Sequence, residues 1–246
     1  MNKSLIIPLI VMTFLLSCAP KQGYLVSTKV DNNNVGNENF GSMDAKMLSL
    51  INPYKEELDA KMNKVIGYLP EEMIKERPNS SLLNFMADAL LDQAKALFPT
   101  KTIDCAVMNY GGIRITSIGK GDITVGKMYE LMPFDNSVVL TELTQLQAQQ
   151  LFDRIAAYGG WPISDGLTFR AENNKAVDVM INGKPISSYT MVNVVVPNYL
   201  SDGGDNLDFM KEVKKSDSNI YIRDILISYV TKIKDIVPSH EKRIKL

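Results

Sequence analysis

Histidine and cysteine are scarce in this 246-residue chain, which has one histidine, His240, and two cysteines, Cys18 and Cys105. A lone histidine with no motif around it does not suggest a Ser-His-Asp or Cys-His nucleophilic site. Two cysteines are too few for a disulfide framework, and these two do not form a CxxC site. The chemistry available to the chain is therefore narrow, and Cys105, in an apolar stretch, is expected to be a small buried thiol.

The chain also lacks an excess of charge of either sign and a long apolar run. Its formal net charge is −1, which gives no electrostatic reason to expect nucleic acid as a partner. The apolar stretch at residues 5–16 is shorter than the ~20 residues that span a bilayer. With 45% hydrophobic and 22% charged residues, the composition is that of an ordinary globular protein.

Residues 1–17 have the pattern of a targeting segment, with Lys3 ahead of the apolar stretch. The sequence Leu15-Leu16-Ser17-Cys18 resembles a bacterial lipobox, in which cleavage precedes a cysteine that carries lipid. An ordinary signal peptide with an incidental cysteine is the alternative. Lipidation of Cys18 would anchor the protein to a membrane of the bacterial cell envelope, on the periplasmic or surface side. Residues 18–42, rich in Asn, Gly and Ser, predict a flexible tether before a domain at residues 43–246.

The remaining sequence predicts interleaved helices and strands. Together they predict an α+β fold in which helices flank one main mixed sheet. Leu146 is expected on the inward face of its helix, and the basic residues 242–245 on the solvated surface. The predicted helices cover residues 44–66, 82–97, 144–158 and 220–234, and residues 125–131 are expected to form a short helix or a turn. The predicted strands cover 103–108, 137–143, 167–171, 176–181 and 189–196.

Three polar motifs follow or precede predicted strands. They are Asn109-Tyr110-Gly111-Gly112-Ile113-Arg114, Pro133-Phe134-Asp135-Asn136, and Asn198-Tyr199-Leu200-Ser201-Asp202-Gly203-Gly204-Asp205. Paired glycines let a backbone turn tightly or approach a ligand, and an arginine fork matches phosphate or carboxylate. Aromatic rings stack on bases, and a carboxylate accepts both hydroxyls of a ribose. The combination suits a flat, polyhydroxylated, anionic ligand such as a nucleotide.

Each motif has a simpler explanation when taken alone. The first would be a plain turn with a surface arginine at Arg114. In the second, Phe134 would belong to the core and Asn136 would hydrogen-bond its own turn. The third would be a surface turn with a half-buried Tyr199. These alternatives lose weight only because the three motifs occur together.

The order and spacing of the motifs resemble the C-terminal, substrate-binding domain of the 5'-nucleotidase / UDP-sugar hydrolase family. That family has N-x-G-G-I-R, then P-F-x-N, then an apolar strand leading into N-(F/Y)-L-x-x-G-G-D. A fourth element fits upstream, where Arg77 precedes a helix, although its spacing is about one residue short and Leu83 replaces a family glycine. The resemblance covers about residues 66–210 and implies the family's α+β fold.

The resemblance also implies roles for individual residues. Phe134 and Tyr199 would sandwich the base, and Asp205 would accept the ribose hydroxyls. Arg114 and Arg77 would lie on the phosphate and ribose side. Contacts to the base or the nearby backbone would come from the amides. These are Asn109 and Asn136.

Hydrolysis in that family belongs to an N-terminal metallophosphoesterase domain, whose two metal ions need several His, Asp and Asn ligands. Its motifs are not found here, and one histidine cannot supply such a site, so no cofactor or metal is expected in this chain. The leading hypothesis is the nucleotide- or nucleoside-recognition part of a split 5'-nucleotidase, with divalent metals on a separate metallophosphoesterase partner. The alternatives are a stand-alone nucleoside- or nucleotide-binding lipoprotein without catalysis, and a degenerate domain kept for structure.

Overall fold

The computed structural model describes residues 45–246. Residues 51–246 form one compact unit, and of a second unit, residues 1–50, only the last six residues are described. The predicted signal peptide, the lipidated Cys18 and the tether up to residue 42 lie outside the described residues and remain predictions. Within the described part of the chain, no helix combines the length and apolar character needed to cross a bilayer.

Helices form close to the positions predicted from apolar spacing, and side-chain caps fix two of their starts. Ser80 accepts a hydrogen bond from the Leu83 N–H at the start of α2, and Thr144 forms a reciprocal capping box with Gln147 at the start of α4. The helices are α1 (Ala45–Met62), α2 (Ser81–Leu97), α3 (Val125–Leu131), α4 (Gln145–Ala157), α5 (Asn198–Ser201) and α6 (Ile222–Ile233).

The strands divide among several sheets. The strands are β1 (Val65–Leu69), β2 (Met73–Ile74), β3 (Cys105–Ala106), β4 (Ser117–Ile118), β5 (Gly121–Thr124), β6 (Ser137–Thr144), β7 (Leu167–Glu172), β8 (Lys175–Ile181), β9 (Lys184–Pro185), β10 (Met191–Pro197), β11 (Lys214–Tyr221) and β12 (Ile244–Lys245). Two four-stranded sheets have the orders β11-β6-β10-β3 and β12-β7-β8-β9, and β1-β5 and β2-β4 form two-stranded sheets. The predicted α+β class with mixed sheets is confirmed, while the strands do not gather around one main sheet.

The sheet β11-β6-β10-β3 separates two hydrophobic clusters. Because side chains alternate along a strand, Val195 and Ala106 belong to the cluster with α2 and α6, while Val194 and Cys105 belong to the cluster with α4 and the second large sheet. Cys105 is fully buried, as predicted, and burial raises the pKa of its thiol. A sheet packed on both faces gives its strand ends a rigid base.

The basic segment at residues 242–245 is solvated only in part, because Lys242 and Lys245 are exposed whereas Arg243 and Ile244 are buried, which corrects the sequence-based expectation for Arg243. Arg243 is only 2% exposed and donates to both carboxylate oxygens of Asp88 at 2.8 Å and to the Ile163 carbonyl at 2.8 Å. Ile244 exchanges two hydrogen bonds with the side chain of Asn79. A buried arginine needs such partners, and α2 supplies one by presenting Asp88.

Two further expectations differ from the structure. Leu146 is 70% exposed, because at 100° per residue it lies about 180° around α4 from the buried Ile155. Strand β11 is not predicted, because its exposed, polar sequence carries no alternating apolar pattern, yet it pairs with β6 along the sheet edge.

Candidate functional site

A cleft of about 300 Å³ brings together six of the seven predicted ligand-binding residues. Its lining consists of Asn109, Gly111, Gly112, Arg114, Phe134, Asn136, Tyr199 and Asp205. A larger cleft of about 720 Å³ lies elsewhere, against residues 72–81 and 240–246, and contains none of the predicted residues. The smaller of these two clefts is the candidate site, because the predicted aromatic, amide, guanidinium and carboxylate groups converge in it.

Sheet topology explains why three segments distant in sequence meet in this cleft. Strands β3 and β10 are parallel neighbours, so their carboxyl ends emerge at the same edge of the sheet. Strand β6 is antiparallel to β10, so it begins at that edge. The turn Tyr110–Gly112 follows β3, the loop at residues 132–136 precedes β6, and α5 with its following turn continues β10.

Asn109 contributes a buried acceptor to the cleft. Its side chain is largely buried, and its Oδ1 has no hydrogen-bond partner. A Cβ atom at Gly112 would lie only 3.1 Å from that oxygen, so glycine leaves the amide its space. An unpaired buried carbonyl oxygen is costly unless something donates to it, and a ligand N–H group entering the cleft would do so.

Phe134 and Arg114 form a cation–π pair at the rim of the cleft. The guanidinium carbon of Arg114 lies 5.4 Å from the centre of the Phe134 ring. Phe134 is 39% exposed, so its ring is not a core residue and has a face available to a ligand. The arrangement places a positive charge beside an aromatic surface.

Tyr199 and Asp205 are joined across a glycine turn. The Tyr199 hydroxyl donates to Asp205 Oδ1 at 3.2 Å, and the Asp205 N–H donates back to the hydroxyl oxygen at 3.2 Å. Burial, reinforced by the charge of Asp205, raises the pKa of Tyr199, so the phenol keeps its proton. Gly203 is left-handed, and a Cβ at Gly204 would lie 2.5 Å from Tyr199 Cζ, so the turn needs both glycines.

Arg77 does not line the cleft. Its guanidinium carbon lies 3.9 Å from the centre of the Tyr110 ring, and the ammonium nitrogen of Lys75 lies 4.0 Å from the same centre. Lys75 also donates to the Ile113 carbonyl at 2.7 Å. Partial burial, with the charges of Arg114 and Arg77, lowers the pKa of Lys75. Three cations thus lie close to one side of the cleft.

Sequence reasoning did not select Lys75 or Tyr110 as part of this arrangement. Tyr110 lies inside the first motif, and Lys75 lies two positions before Arg77, so proximity in sequence to predicted residues was the available signal for both. No local pattern indicates that one ring would receive two cations, because the contact joins residues more than thirty positions apart.

The residues present do not fit a two-metal centre. His240 has an exposed ring that lies 2.7 Å from Glu71. Across residues 45–246, no three His, Cys, Asp or Glu side chains lie close enough to hold a metal ion. The donor set at the cleft is instead that of a site for an organic anion.

Comparison with known proteins decides the family. The family model for the 5'-nucleotidase C-terminal domain matches residues 65–212, more than half of the chain. The chain belongs to the 5'-nucleotidase family. Its described part has the fold of that family's C-terminal domain.

Curated relatives and solved structures agree with this assignment. The trifunctional nucleotide phosphoesterase protein YfkN of Bacillus subtilis is 28% identical over 79% of this chain and 15% of its own length. A 5'-nucleotidase of Vibrio parahaemolyticus is 28% identical over 67% of this chain and 30% of its own length. The 5'-nucleotidase precursor structure from Thermus thermophilus superposes with a TM-score of 0.69 at 25% identity, covering 80% of this chain and 42% of that one. The chain therefore spans less than half the length of these relatives.

Proposed function

We propose that the domain binds a nucleotide or nucleoside as the recognition part of a split 5'-nucleotidase. The observation that supports this most strongly is the single cleft shared by two half-exposed aromatic rings, Phe134 and Tyr199, with Arg114 and Asp205 beside them. Stacking a base on an aromatic ring contributes about 1–3 kcal/mol. The names of the relatives, which include nucleotide phosphoesterase and 5'-nucleotidase, point to the same ligand class.

Each group in the cleft has a place in this proposal. Phe134 and Tyr199 take the two faces of the base. At its polar edge, Asn109 Oδ1 accepts a hydrogen bond and the Asn136 side chain accepts or donates one. Asp205 accepts the ribose hydroxyls, with Tyr199 holding one of its oxygens in position. Arg114, together with the cations around Tyr110, attracts the phosphate.

Hydrolysis of the phosphate ester falls, in this proposal, to a separate metallophosphoesterase chain that holds the divalent metals. The donor set favours this division, because the only histidine of the sequence is engaged with Glu71 at the surface. Lipidation of Cys18 would tether the recognition domain to a membrane of the bacterial envelope. The purified chain alone should release no phosphate from AMP, and adding a metallophosphoesterase chain from the same organism should start the reaction. Phosphate release by the isolated chain would contradict the division.

Ligand binding is tested by thermal shift with AMP, adenosine, UDP-glucose and inorganic phosphate. A ligand at about 100 times its Kd should stabilise the folded state by about 2.7 kcal/mol. Phe134→Ala and Tyr199→Ala should each remove the shift, whereas Tyr68→Ala, which alters an equally exposed ring outside the cleft, should not. A shift that survives both cleft substitutions would refute the sandwich.

The second candidate is a nucleoside- or nucleotide-binding lipoprotein that performs no chemistry. Six of the seven predicted binding residues line one cleft of this chain, which favours recognition without a partner. It predicts the same thermal shifts but no hydrolysis with any metallophosphoesterase chain. A degenerate domain predicts neither, and the intact set of cleft residues argues against it.

A further inference from the structure

The loop that carries Phe134 is attached to the junction between β11 and α6. The Asn136 carbonyl accepts from the Ile222 N–H at 2.8 Å, and Ser137 pairs with Tyr221 across the sheet. The Ser137 hydroxyl donates to Asp217 at 2.8 Å. Strand β11 has an irregular register between Asp217 and Tyr221, which lets the chain reach the loop before α6 begins.

Arg223, in the first turn of α6, makes the remaining attachments. Its Nη2 donates to Asp135 Oδ1 at 2.9 Å, and its Nη1 donates to the Pro133 carbonyl at 3.4 Å. Its guanidinium carbon lies 4.3 Å from the centre of the Tyr129 ring, on the helix that precedes the loop. The Arg223 side chain is 11% exposed, whereas that of Asp135 is 69% exposed.

The contacts therefore flank Phe134 on both sides. Pro133 and Asp135, its two neighbours, are held by the same guanidinium, and Asn136 and Ser137 are held by the backbone that leads into it. Of residues 133–137, Phe134 alone is directed to the cleft without such an attachment to the β11–α6 junction. Because one guanidinium donates to both the Pro133 carbonyl and the Asp135 carboxylate, it restricts the direction in which the Phe134 side chain leaves the backbone.

We propose that Arg223 is a positioning residue that sets the orientation of the Phe134 ring for base stacking. The assignment rests on the proposed nucleotide-binding function, but the attachment of the loop can be measured without any ligand. Arg223 lies beyond the matched region, which ends at residue 212. Arg223 therefore lies in the part of the chain that follows the motifs, and none of the motifs contains it.

The experiment compares two variants. Arg223→Met keeps the bulk of the side chain over Tyr129 but removes its hydrogen-bond donors. Asp135→Ala alters a mostly solvated side chain, so it should fold even if Arg223→Met does not. Lys214→Met is the matched control, because it removes an exposed ion pair between β11 and Glu142 without touching the loop. Two quantities are measured for each variant. They are amide exchange across residues 134–138 and 220–224, and the Kd values of adenosine and of ribose 5-phosphate.

Arg223→Met and Asp135→Ala should speed amide exchange in those two segments and leave exchange elsewhere unchanged. Arg223→Met should weaken adenosine about tenfold, as loss of well-aligned stacking requires, and change the Kd of ribose 5-phosphate little. In a Phe134→Ala background, Arg223→Met should have no further effect on adenosine, since the two act as one unit. Lys214→Met should change none of these quantities.

Two results would overturn the proposal. The first is that Arg223→Met changes neither amide exchange in the two segments nor the Kd of adenosine. The second is that Arg223→Met weakens the binding of adenosine and of ribose 5-phosphate equally, and does so also in the Phe134→Ala background. That result would indicate a general structural role for Arg223. If the unaltered protein binds neither adenosine nor AMP, the proposed function fails by itself. Amide exchange then still decides whether Arg223 holds the loop.

Discussion

Replacing Gly204 by alanine should displace the Tyr199 ring from the cleft. The added Cβ would lie 2.5 Å from Tyr199 Cζ, 2.6 Å from its Cε1 and 2.5 Å from its backbone oxygen. Ordinary van der Waals contact begins at 3.4 Å, so each overlap is close to an ångström. Gly204 itself is not left-handed, so the effect is steric and not a matter of backbone conformation.

The size of the stability loss depends on which atoms of Tyr199 can move away from the added Cβ. The ring can rotate away, but the Tyr199 carbonyl belongs to the short helix α5, in which the Asp202 N–H bonds to Asn198 and the Gly203 N–H bonds to Leu200. Overpacking of this kind costs about 1–3 kcal/mol. For a domain of this size a loss of about 2 kcal/mol lowers Tm by about 4–8 °C. Loss of the ring from the base adds about 1–3 kcal/mol in binding, at least about fivefold in Kd.

Calorimetric titration with AMP and a thermal melt without ligand measure the two effects separately. Gly119→Ala is the matched control, because a Cβ there meets nothing within 4 Å. If Gly204→Ala binds AMP as tightly and melts at the same temperature as Gly119→Ala, the argument that this glycine is required by the Tyr199 ring is wrong.

Three further predictions concern stability and reactivity. Arg243→Met should lower the free energy of unfolding by about 3 kcal/mol in urea titration, because it leaves the carboxylate of Asp88 partly buried without its partner; a change below about 1 kcal/mol would contradict this estimate. Cys105 should resist iodoacetamide in the native protein and react once unfolded, since burial raises the pKa of its thiol; native labelling, read by mass spectrometry, would show that the site opens. Partial burial acts to raise the pKa of Asp153, but hydrogen bonds from Lys175 and neighbouring groups outweigh it and lower that pKa. The stabilisation is therefore present at neutral pH and lost as pH falls through the lowered pKa, so the stability gap between the wild type and Asp153→Asn should narrow in acid; a constant gap would refute it.

Much of the cleft could be predicted because its residues lie in short motifs at strand ends. The phenylalanine, tyrosine, asparagines and aspartate each stand beside an apolar run that forms a buried strand, and parallel packing of β3 against β10 brings those ends together. The turn at Gly203 and Gly204 could be predicted in the same way, because its local geometry requires glycine at both positions. Such features depend on neighbours in sequence and are visible there.

The parts that could not be predicted depend on contacts between distant segments. Arg243 looked like a surface charge because its partner, Asp88, lies 155 positions earlier in the chain. Arg223 lies in a segment whose pattern predicts a helix, and that pattern does not indicate a contact with Asp135, 88 positions away. Strand β11 forms because β6 offers it an edge, since its own sequence is polar from Lys214 to Asn219. Composition and periodicity do not report these pairings.

The segment at residues 236–244 also affects when the domain can complete its folding. Ile236 packs in one hydrophobic cluster and Ile244 in the other, and Asn79, Asn84 and Arg243 fasten the stretch between them. During synthesis these contacts form only after residue 244 has left the ribosome exit tunnel. Until then each cluster lacks the contribution of this segment, so the sheet whose strand ends form the candidate cleft is incompletely packed.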